Sequence, residues 1–192
     1  LTTIGNGVCS AVKDTMLVTF TPSPVPNAGL DRVLCANNAA VTLNGSFTIA
    51  TGGIWSGGAG TFDPSTTNLN AIYTPTTAEI SSGSVTLTLT TTGNGNCNAV
   101  ADPVLLTFTS APTASAGINS TACANNATVA LNGAVTVASG GAWSGGTGSF
   151  APDNSTLNAT YTPSAGEIAA GSVILLLTTT GNGTCTSVSG SR

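Results

Sequence analysis

The sequence contains little of the chemistry on which most enzymes depend. It has no histidine, and only ten of its 192 residues are charged, seven acidic and three basic. General acid–base catalysis needs histidine or carboxylates held close together, and a serine or cysteine nucleophile needs a neighbouring base. No two acidic residues lie within ten positions of each other in the sequence. We therefore expect no catalytic residue, no cofactor and no enzymatic activity.

The scarcity of basic residues also excludes several classes of partner. The cations are Lys13, Arg32 and Arg192, and the formal net charge is -4. Nucleic acids and anionic lipid surfaces are bound by clusters of Lys and Arg, which this sequence lacks. The longest apolar run, Val173–Leu177, is far shorter than the roughly 20 residues needed to span a bilayer. We expect neither a nucleic-acid partner nor membrane insertion.

The sequence also lacks the patterns of the common metal sites. Zinc sites combine histidine with cysteine, or place two cysteines two to four residues apart, and neither arrangement occurs here. Calcium loops concentrate Asp and Asn in a D-x-D-x-D-G pattern, which is missing as well. A calcium site would have to be rich in backbone ligands and would use Asp31 or Asp63. We expect no metal.

What the sequence does contain is a long internal repeat with an offset of 88 residues. Residues 28–97 match residues 116–185 at 42 of 70 positions without a gap, and Leu1–Thr21 aligns in the same register with Leu89–Thr109. We therefore interpret the chain as a window on a longer array. We expect three parts: the C-terminal strands of a preceding, truncated repeat (1–24), a complete repeat (25–112, called bead 1) and a repeat lacking its last strand (113–192, called bead 2).

Each repeat has the pattern of an all-β domain. In Ser84–Thr92, apolar residues alternate with threonine, which is typical of a half-buried strand. The other predicted elements of bead 1 are strands at Ala40–Gly45, Phe47–Ala50, Leu69–Pro75 and Val104–Thr109 and a helical turn at Thr76–Gly83. About seven short strands in a repeat of roughly 90 residues is the pattern of an immunoglobulin-like sandwich. We predict an all-β fold of tandem immunoglobulin-like β-sandwich repeats of 88 residues, arranged as beads in an extended filament.

Each repeat places one tryptophan in a glycine-rich frame. The stretch GGIWSGGAGTF at 52–62 contains Trp55, and GGAWSGGTGSF at 140–150 contains Trp143. The third strand of an immunoglobulin sandwich commonly carries a buried tryptophan, and flanking glycines let the backbone bend around the indole. We expect both side chains in the core. The alternative is that they lie at an exposed edge and stack on sugar rings.

We expect further core residues at equivalent positions of the two repeats. Tyr73 and Tyr161 precede a proline-containing turn, and we expect their rings to pack inward while each hydroxyl bonds to a loop carbonyl; a surface binding role is the alternative. The remaining predicted core residues are Leu87, Leu89, Leu175 and Leu177.

Five cysteines, Cys9, Cys35, Cys97, Cys123 and Cys185, recur in the repeat register. Recurrent pairs in a Thr-, Asn- and Gly-rich chain indicate an oxidising, extracellular setting. Within-repeat bonds would join Cys35 to Cys97 and Cys123 to Cys185, but these positions are predicted at opposite ends of one bead, whereas disulfides need Cα atoms within about 7 Å. A bond from Cys35 to Cys185 would instead join two neighbouring beads. Both schemes stay open, with Cys9–Cys35 and Cys97–Cys123 as less favoured pairings.

The motifs CANN, WSGG, YTPT-AEI--GSV and TTTGNGNC together resemble the repeats of large cell-surface adhesins of Bacteroidota, in particular the SprB-like gliding-motility adhesin family. The resemblance covers essentially the whole chain. It implies a cell-surface filament on the bacterial outer surface, exported by the type IX secretion system. It transfers no catalytic or binding residue.

Three functions follow as hypotheses. The first is a repetitive structural segment of an adhesin filament, which provides reach and surface attachment; its partners would be neighbouring repeats, other copies in a fibre, and surface glycans or a substratum. The second is a lectin-like array that binds glycan through each bead. The third is an appendage or coat subunit whose copies join by strand exchange, in which Met16–Phe20 fills the open edge of another copy. Within a longer array, the next residues in sequence would fill that edge instead. Asp14–Met16 also resembles an O-glycosylation motif, which makes Thr15 a candidate attachment site.

Overall fold

The computed structural model describes residues 1–191 and is built almost entirely from short β-strands. The strands and helices of bead 1 are β1 Val25–Asn27, β2 Arg32–Cys35, β3 Val41–Thr42, β4 Ser46–Thr48, β5 Gly52–Ser56, β6 Thr61–Asp63, β7 Ile72–Thr74, α1 Thr77–Ser82, β8 Ser84–Thr92 and β9 Ala101–Thr109. Those of bead 2 are β10 Thr113–Ser115, β11 Val129–Ala130, β12 Ala134–Thr136, β13 Gly140–Ser144, β14 Ser149–Ala151, β15 Thr160–Thr162, α2 Ala165–Ala170, β16 Leu176–Thr180 and β17 Ser189–Ser191.

Bead 1 is a sandwich of two sheets. One sheet has the strand order β2-β9-β8-β5, in which β2 runs parallel to β9 and the other pairs are antiparallel. The opposite sheet has the order β3-β7-β6, and the short strands β1 and β4 pair with each other. The residues between the sheets form one core that includes Trp55, Tyr73, Leu87, Leu89 and Leu106. The predicted all-β, immunoglobulin-like sandwich is confirmed.

The alternation in the longest predicted strand is borne out residue by residue. β8 begins and ends where the sequence placed it, and Leu87, Leu89 and Thr91 are buried while the intervening threonines face outward. Antiparallel pairing places Leu87 opposite Val104 of β9. Because side chains alternate across a strand, one face of β8 enters the core and the other remains toward solvent.

The predicted helical turn is the short helix α1. Thr76 is its N-cap and accepts a hydrogen bond from the Glu79 N–H, while the Glu79 carboxylate accepts one from the Thr76 N–H. This reciprocal capping box satisfies two N–H groups that a helix start otherwise leaves unpaired. The helix ends at Gly83, whose φ of 87° is a left-handed conformation that glycine adopts at little cost. Ser164, Glu167 and Gly171 repeat the arrangement in bead 2.

Bead 2 repeats this architecture around a second core, but its large sheet is smaller. The sheet has the order β13-β16-β17, and β17 corresponds to only the first three residues of β9. β16 has five residues where β8 has nine, and residues 120–123, the counterpart of β2, form no strand. Residues 172–175, the counterparts of the first part of β8, likewise form no strand in the described part of the chain.

The first 24 residues contribute little to either core. Residues 1–14 form a small hairpin, in which the Thr3 N–H donates to the Val12 carbonyl at 3.0 Å. The following apolar side chains are largely exposed, among them Met16, Leu17 and Phe20. These residues have the sequence of a sheet strand but lie outside any sheet in this structure.

Candidate functional site: the bead junction and the groove of bead 2

A disulfide joins the two beads. Cys35 lies at the end of β2 in bead 1, and Cys185 lies in the turn that follows β16 in bead 2. Their Cα atoms are 5.0 Å apart, within the range that a disulfide needs. Of the pairings considered from the sequence, the structure contains the one that crosses the junction.

The within-repeat pairings do not form, and the reason is the length of the bead. Cys97 lies before β9, whereas Cys35 lies beside Ser110, just after that strand. The nine residues of β9 separate these two ends by roughly 30 Å, because a strand rises about 3.3 Å per residue. Cys185 is bonded to Cys35, and Cys9, Cys97 and Cys123 are free thiols, so Cys123–Cys185, Cys9–Cys35 and Cys97–Cys123 are not formed either.

Hydrogen bonds from Asn37 reinforce the disulfide. Its side-chain amide donates to the Thr186 carbonyl at 3.0 Å, and its Oδ1 accepts from the Thr186 N–H at 3.2 Å. The Ser110 carbonyl oxygen lies 3.8 Å from the sulfur of each bonded cysteine. Asn37 was not among the predicted site residues. The repetition of CANN at both beads was the available signal, since the amide follows the cysteine by two residues each time.

Two of the free cysteines occupy the same positions one repeat away. Cys97 is the counterpart of Cys185, and its thiol lies 3.6 Å from the Pro22 carbonyl, as Cys185 lies beside Ser110. Cys123 is the counterpart of Cys35, and it forms the same bridge with Asn126 that Cys35 forms with Asn38. Cys35 is fully buried whereas Cys123 is exposed. Cys97 and Cys123 thus each occupy one of the two positions that form the Cys35–Cys185 junction, and both are free thiols.

An apolar groove of about 590 Å³ lies in bead 2 beside the shortened sheet. Its walls come from the β11 and β15 region of the small sheet, from α2, and from irregular residues between 119 and 127 and at 172–175. Side chains that line it are Val129, Leu131, Tyr161, Ile168, Val173 and Leu175. Their counterparts in bead 1, at positions 88 residues earlier, all belong to or pack against the core. The groove is therefore an unfilled part of the bead core.

In bead 1 the same space is filled by β9 and β2. Val104, Leu106 and Phe108 project inward from β9, with exposed fractions of 3%, 0% and 8%, and Leu34 projects from β2. Between them, Leu105 and Thr107 face away from the core. In bead 2, the smaller Ala122 occupies the position of Leu34 and lines the groove, and the positions 88 residues after Val104, Leu106 and Phe108 lie outside the described residues.

The tryptophans lie inside the beads. Trp55 and Trp143 are each 1% exposed, and each indole N–H donates to a backbone carbonyl, that of Leu69 at 3.3 Å and that of Leu157 at 3.2 Å. A sugar ring has no access to either indole face in this structure. The glycine frame serves packing, because a Cβ on Gly60 would come within 2.7 Å of the Tyr73 ring.

The tyrosines are also buried, but their hydroxyl partners differ from the prediction. The Tyr73 hydroxyl donates to Oε1 of Glu79 at 2.7 Å and accepts from the Gly60 N–H at 3.0 Å, so it bonds a carboxylate rather than a loop carbonyl. Tyr161 and Glu167 repeat this contact in bead 2. In both repeats the tyrosine precedes the glutamate by six residues. This spacing did not indicate that the helix cap would face the tyrosine.

This cluster shifts the pKa of both of its titratable groups. Burial alone would raise the pKa of Glu79, but hydrogen bonds from the Thr76 N–H, the Tyr73 hydroxyl and the Ala59 N–H outweigh it and lower the pKa to about 2. Burial and the bond to the Glu79 carboxylate raise the pKa of Tyr73 to about 12. The tyrosine therefore stays protonated and the glutamate ionised near neutral pH, which suits a fixed structural contact.

Other sequence-derived candidates lie apart from the junction. Thr15 is exposed in the N-terminal segment. Within residues 1–191, no cluster of three or more potential ligands could hold a metal ion. Neither helix of this part of the chain has the length and apolarity that a membrane crossing requires.

Comparison with known proteins gives distant structural likenesses. No protein-family model matches the chain, and no curated protein matches it in sequence. Among solved structures it is similar to Sidekick-1 immunoglobulin domains 1–5, with 13% identity, a TM-score of 0.40, and coverage of 88% of this chain and 38% of that one. It is also similar to mouse cadherin-23 EC22–24, with 13% identity, a TM-score of 0.38, and coverage of 88% and 65%. The chain thus spans less than two thirds of either structure.

Proposed function

We propose that this chain is a repetitive structural segment of an extracellular adhesin filament, divided at 24/25 and 112/113 into a strand segment and two immunoglobulin-like beads. Its role is reach and resistance to tension, and the adhesive contact with a surface is made by the filament as a whole. The observation that carries the proposal is the disulfide between Cys35 and Cys185.

The position of this disulfide protects the beads from extension. Cys35 and Cys185 are separated by 150 residues, so the bond closes a loop that holds most of both beads. Tension applied to the two ends of the chain passes through the sulfur atoms and bypasses that loop. Of the described strands, only β1, β2 and β17 lie on the path that carries the force. Such a bead array extends little under load, which is useful in a filament that links a cell to a surface.

Pulling a single molecule by its two ends tests this role. The oxidised chain is expected to extend by only about 150 Å, the reach of the residues outside the loop, and reduction is expected to release about 500 Å more at roughly 3.3–3.6 Å per residue. Cys35→Ser should extend fully without reductant, whereas Cys9→Ser should behave like the original chain. An oxidised chain that unravels both beads would contradict the mechanical role.

The resemblance of the repeat motifs supports a finer assignment, to a large SprB-like adhesin on the outer surface of a Bacteroidota cell that is exported by type IX secretion and used in gliding or adhesion. Measuring the mass of the native polypeptide, together with its cleavage by protease added to intact cells, tests this assignment. A giant, protease-accessible polypeptide is expected. A small native polypeptide, or one protected inside the cell, would contradict it.

A lectin-like role is the competing hypothesis, and both tryptophans on which it depended are buried. Binding of the 192-residue chain to a glycan array separates the two functions. The structural role predicts no bound glycan. Saturable binding of a glycan to the folded chain would favour the lectin-like role instead.

A further inference from the structure

We propose that Asn37 is the positioning residue of the bead junction. Its side-chain amide docks bead 2 onto bead 1 before the disulfide forms, and the docked geometry selects Cys185 as the partner of Cys35. This role goes beyond that of the filament, because it concerns how the junction is made and holds whatever the whole chain does. Two observations carry it: each cysteine is fixed within its own bead, and Asn37 contacts both beads.

Bead 1 holds Cys35 in place. This residue ends β2, where it lies opposite Thr109 of β9 in the parallel register. The Ala36 N–H donates to the Thr109 carbonyl at 2.9 Å, and the Thr109 hydroxyl donates to the Leu34 carbonyl at 3.2 Å. Cys35 is fully buried. Hydrogen bonds on both sides of Cys35 therefore fix its sulfur to the end of the large sheet.

Bead 2 holds Cys185 in place in a comparable way. The Cys185 N–H donates to the Asn182 carbonyl at 3.0 Å, and the Asn182 side-chain amide donates to the Thr179 carbonyl at 3.2 Å. Thr179 is itself buried in β16, and its hydroxyl accepts from the Val188 N–H at 3.0 Å. The turn that carries Cys185 is thus anchored to its sheet. Whether the two sulfurs meet is decided by how the beads are placed against each other.

Asn37 sets that placement. Its side-chain amide both donates to the Thr186 carbonyl and accepts from the Thr186 N–H, and the Thr186 hydroxyl donates to the Asn37 carbonyl at 3.5 Å. An exchange of two hydrogen bonds with one backbone residue imitates a pair of residues in a sheet, so it fixes distance and orientation together. Thr186 directly follows Cys185, and Asn37 follows Cys35 by two positions. The amide pair therefore brings the two sulfurs together.

The docked arrangement also suits the reduced cysteines. Oδ1 of Asn37 lies 3.1 Å from the Cys35 sulfur, and the Ser110 carbonyl oxygen lies 3.8 Å from the sulfur of each cysteine. Because a thiol is a weak hydrogen-bond donor, Cys35 can donate to either oxygen and Cys185 can donate to Ser110 once the bond is reduced. The contacts that surround the disulfide thus do not require the disulfide.

Docking acts on the oxidation step by raising the effective concentration of one thiol at the other. The Cys35 and Cys185 thiols together lose two protons and two electrons as the S–S bond forms, and glutathione disulfide accepts them and becomes two glutathione thiols. The exchange passes through a mixed disulfide between one cysteine and glutathione, which the other thiolate attacks with release of the second glutathione. The equilibrium constant of this exchange therefore reports how closely the two cysteines are held.

The test uses the 192-residue chain with serine in place of Cys9, Cys97 and Cys123, which are free thiols, so that only one disulfide can form. The chain is equilibrated in glutathione buffers, its thiols are trapped by alkylation, and the oxidised fraction is measured by mass spectrometry. Asn37→Ala should lower the equilibrium constant about tenfold, since two hydrogen bonds are lost. Asn38→Ala is the matched control and should leave it unchanged, because this exposed neighbour uses its side chain in no hydrogen bond within residues 1–191.

Two further measurements separate positioning from a purely structural effect. In concentrated urea, where the beads are unfolded and cannot dock, the equilibrium constants of the original chain and the two variants should be equal. The urea midpoint of the reduced chain should be the same with and without Asn37→Ala, because Asn37 is exposed and belongs to neither bead core.

Several results would overturn the proposal. An equilibrium constant unchanged by Asn37→Ala would show that the amide does not place the beads. An equal fall with Asn38→Ala would assign the effect to the turn and not to the amide. A difference that persists in concentrated urea, or a lower urea midpoint of the reduced Asn37→Ala chain, would make the effect one of local chain structure. None of these results bears on the pulling experiment, which depends only on the bond once it has formed.

Discussion

The hydroxyl of Tyr73 donates a 2.7 Å hydrogen bond to the carboxylate of Glu79, which is also the capping residue of α1. One carboxylate thereby fixes the helix start, the core tyrosine and the turn at Ala59. It accepts a hydrogen bond from the Ala59 N–H at 2.7 Å. The equivalent contacts of Glu167 in bead 2 make this cluster a property of the repeat. It links the sequence of the helix cap to the packing of the core.

The cluster predicts how stability depends on pH. The folded pKa of Glu79 is about 2, below the roughly 4.3 of an exposed glutamate, so its contribution is complete above pH of about 4.5 and is lost as the pH falls toward 2. The urea midpoint should therefore fall across this range. Glu79→Gln should lower the urea midpoint at neutral pH. The midpoint of this variant should also change less between pH of about 4.5 and 2 than that of the original chain. A pH dependence unchanged by this substitution would contradict the assignment.

Truncation of a core tryptophan should be among the most damaging substitutions. Trp143→Ala leaves a large cavity beside Leu177 in the core of bead 2, and we expect a loss of about 3–5 kcal/mol in the free energy of unfolding. Ser144→Ala, at the neighbouring exposed position of β13, should change it by less than about 0.5 kcal/mol. Chemical denaturation monitored by the circular dichroism of the backbone, a signal that does not depend on tryptophan, measures both losses. Similar losses in the two variants would contradict the core assignment.

Removal of the junction disulfide should destabilise the pair of beads. Cys35→Ser or Cys185→Ser releases a loop of 150 residues, and we expect a cost of about 2–5 kcal/mol. Reductant should lower the stability of the original chain to that of the variants and should not affect the variants further. Cys9→Ser, an exposed free cysteine, is the control and should match the original chain. A Cys35→Ser variant still sensitive to reductant would indicate a different disulfide.

Two glycines with the same backbone conformation should respond differently to alanine. Gly58 has φ +71° and Gly83 has φ +87°, but a Cβ would strike the Tyr73 hydroxyl only at Gly58 and would meet nothing within 4 Å at Gly83. Gly83→Ala should cost about 1 kcal/mol from backbone strain alone. Gly58→Ala should cost more and should also weaken the acid-range pH dependence of stability, because it disturbs the Tyr73–Glu79 contact that helps to lower the pKa of Glu79. Thermal unfolding of the two variants compares them directly.

One substitution should stabilise the protein. Ile49 adopts φ +70°, a left-handed conformation that is unfavourable for a β-branched residue, and its side chain is 55% exposed. Ile49→Asn should raise the free energy of unfolding by about 1 kcal/mol, since asparagine tolerates this conformation. Ile72→Asn, at an exposed position of β7 with ordinary extended backbone, should not stabilise. Equal effects in the two variants would show that backbone strain at Ile49 is not the cause.

Local pattern predicted several elements of the fold but not the strands β1, β2, β5 and β6. The alternation in Ser84–Thr92 gave the bounds of β8, because one face of that strand is apolar and the other is threonine. The helix α1 lies within the predicted turn, and its cap was readable from Thr76, Glu79 and Gly83. The strands predicted at Ala40–Gly45 and Leu69–Pro75 are shorter in the structure, since pairing with a neighbour, which sequence does not specify, sets where a ladder ends.

The sequence by itself determined the 88-residue repeat, the all-β class and eight of the core residues, because periodicity and composition can be read locally along the chain. Only the tertiary structure decided which cysteines meet, since the distance between the ends of a bead, and not the spacing along the chain, separates Cys35 from Cys97 and brings it to Cys185. The same holds for the tyrosine that bonds Glu79 and for the groove of bead 2. Each depends on which strands become neighbours, and that is a property of the folded chain.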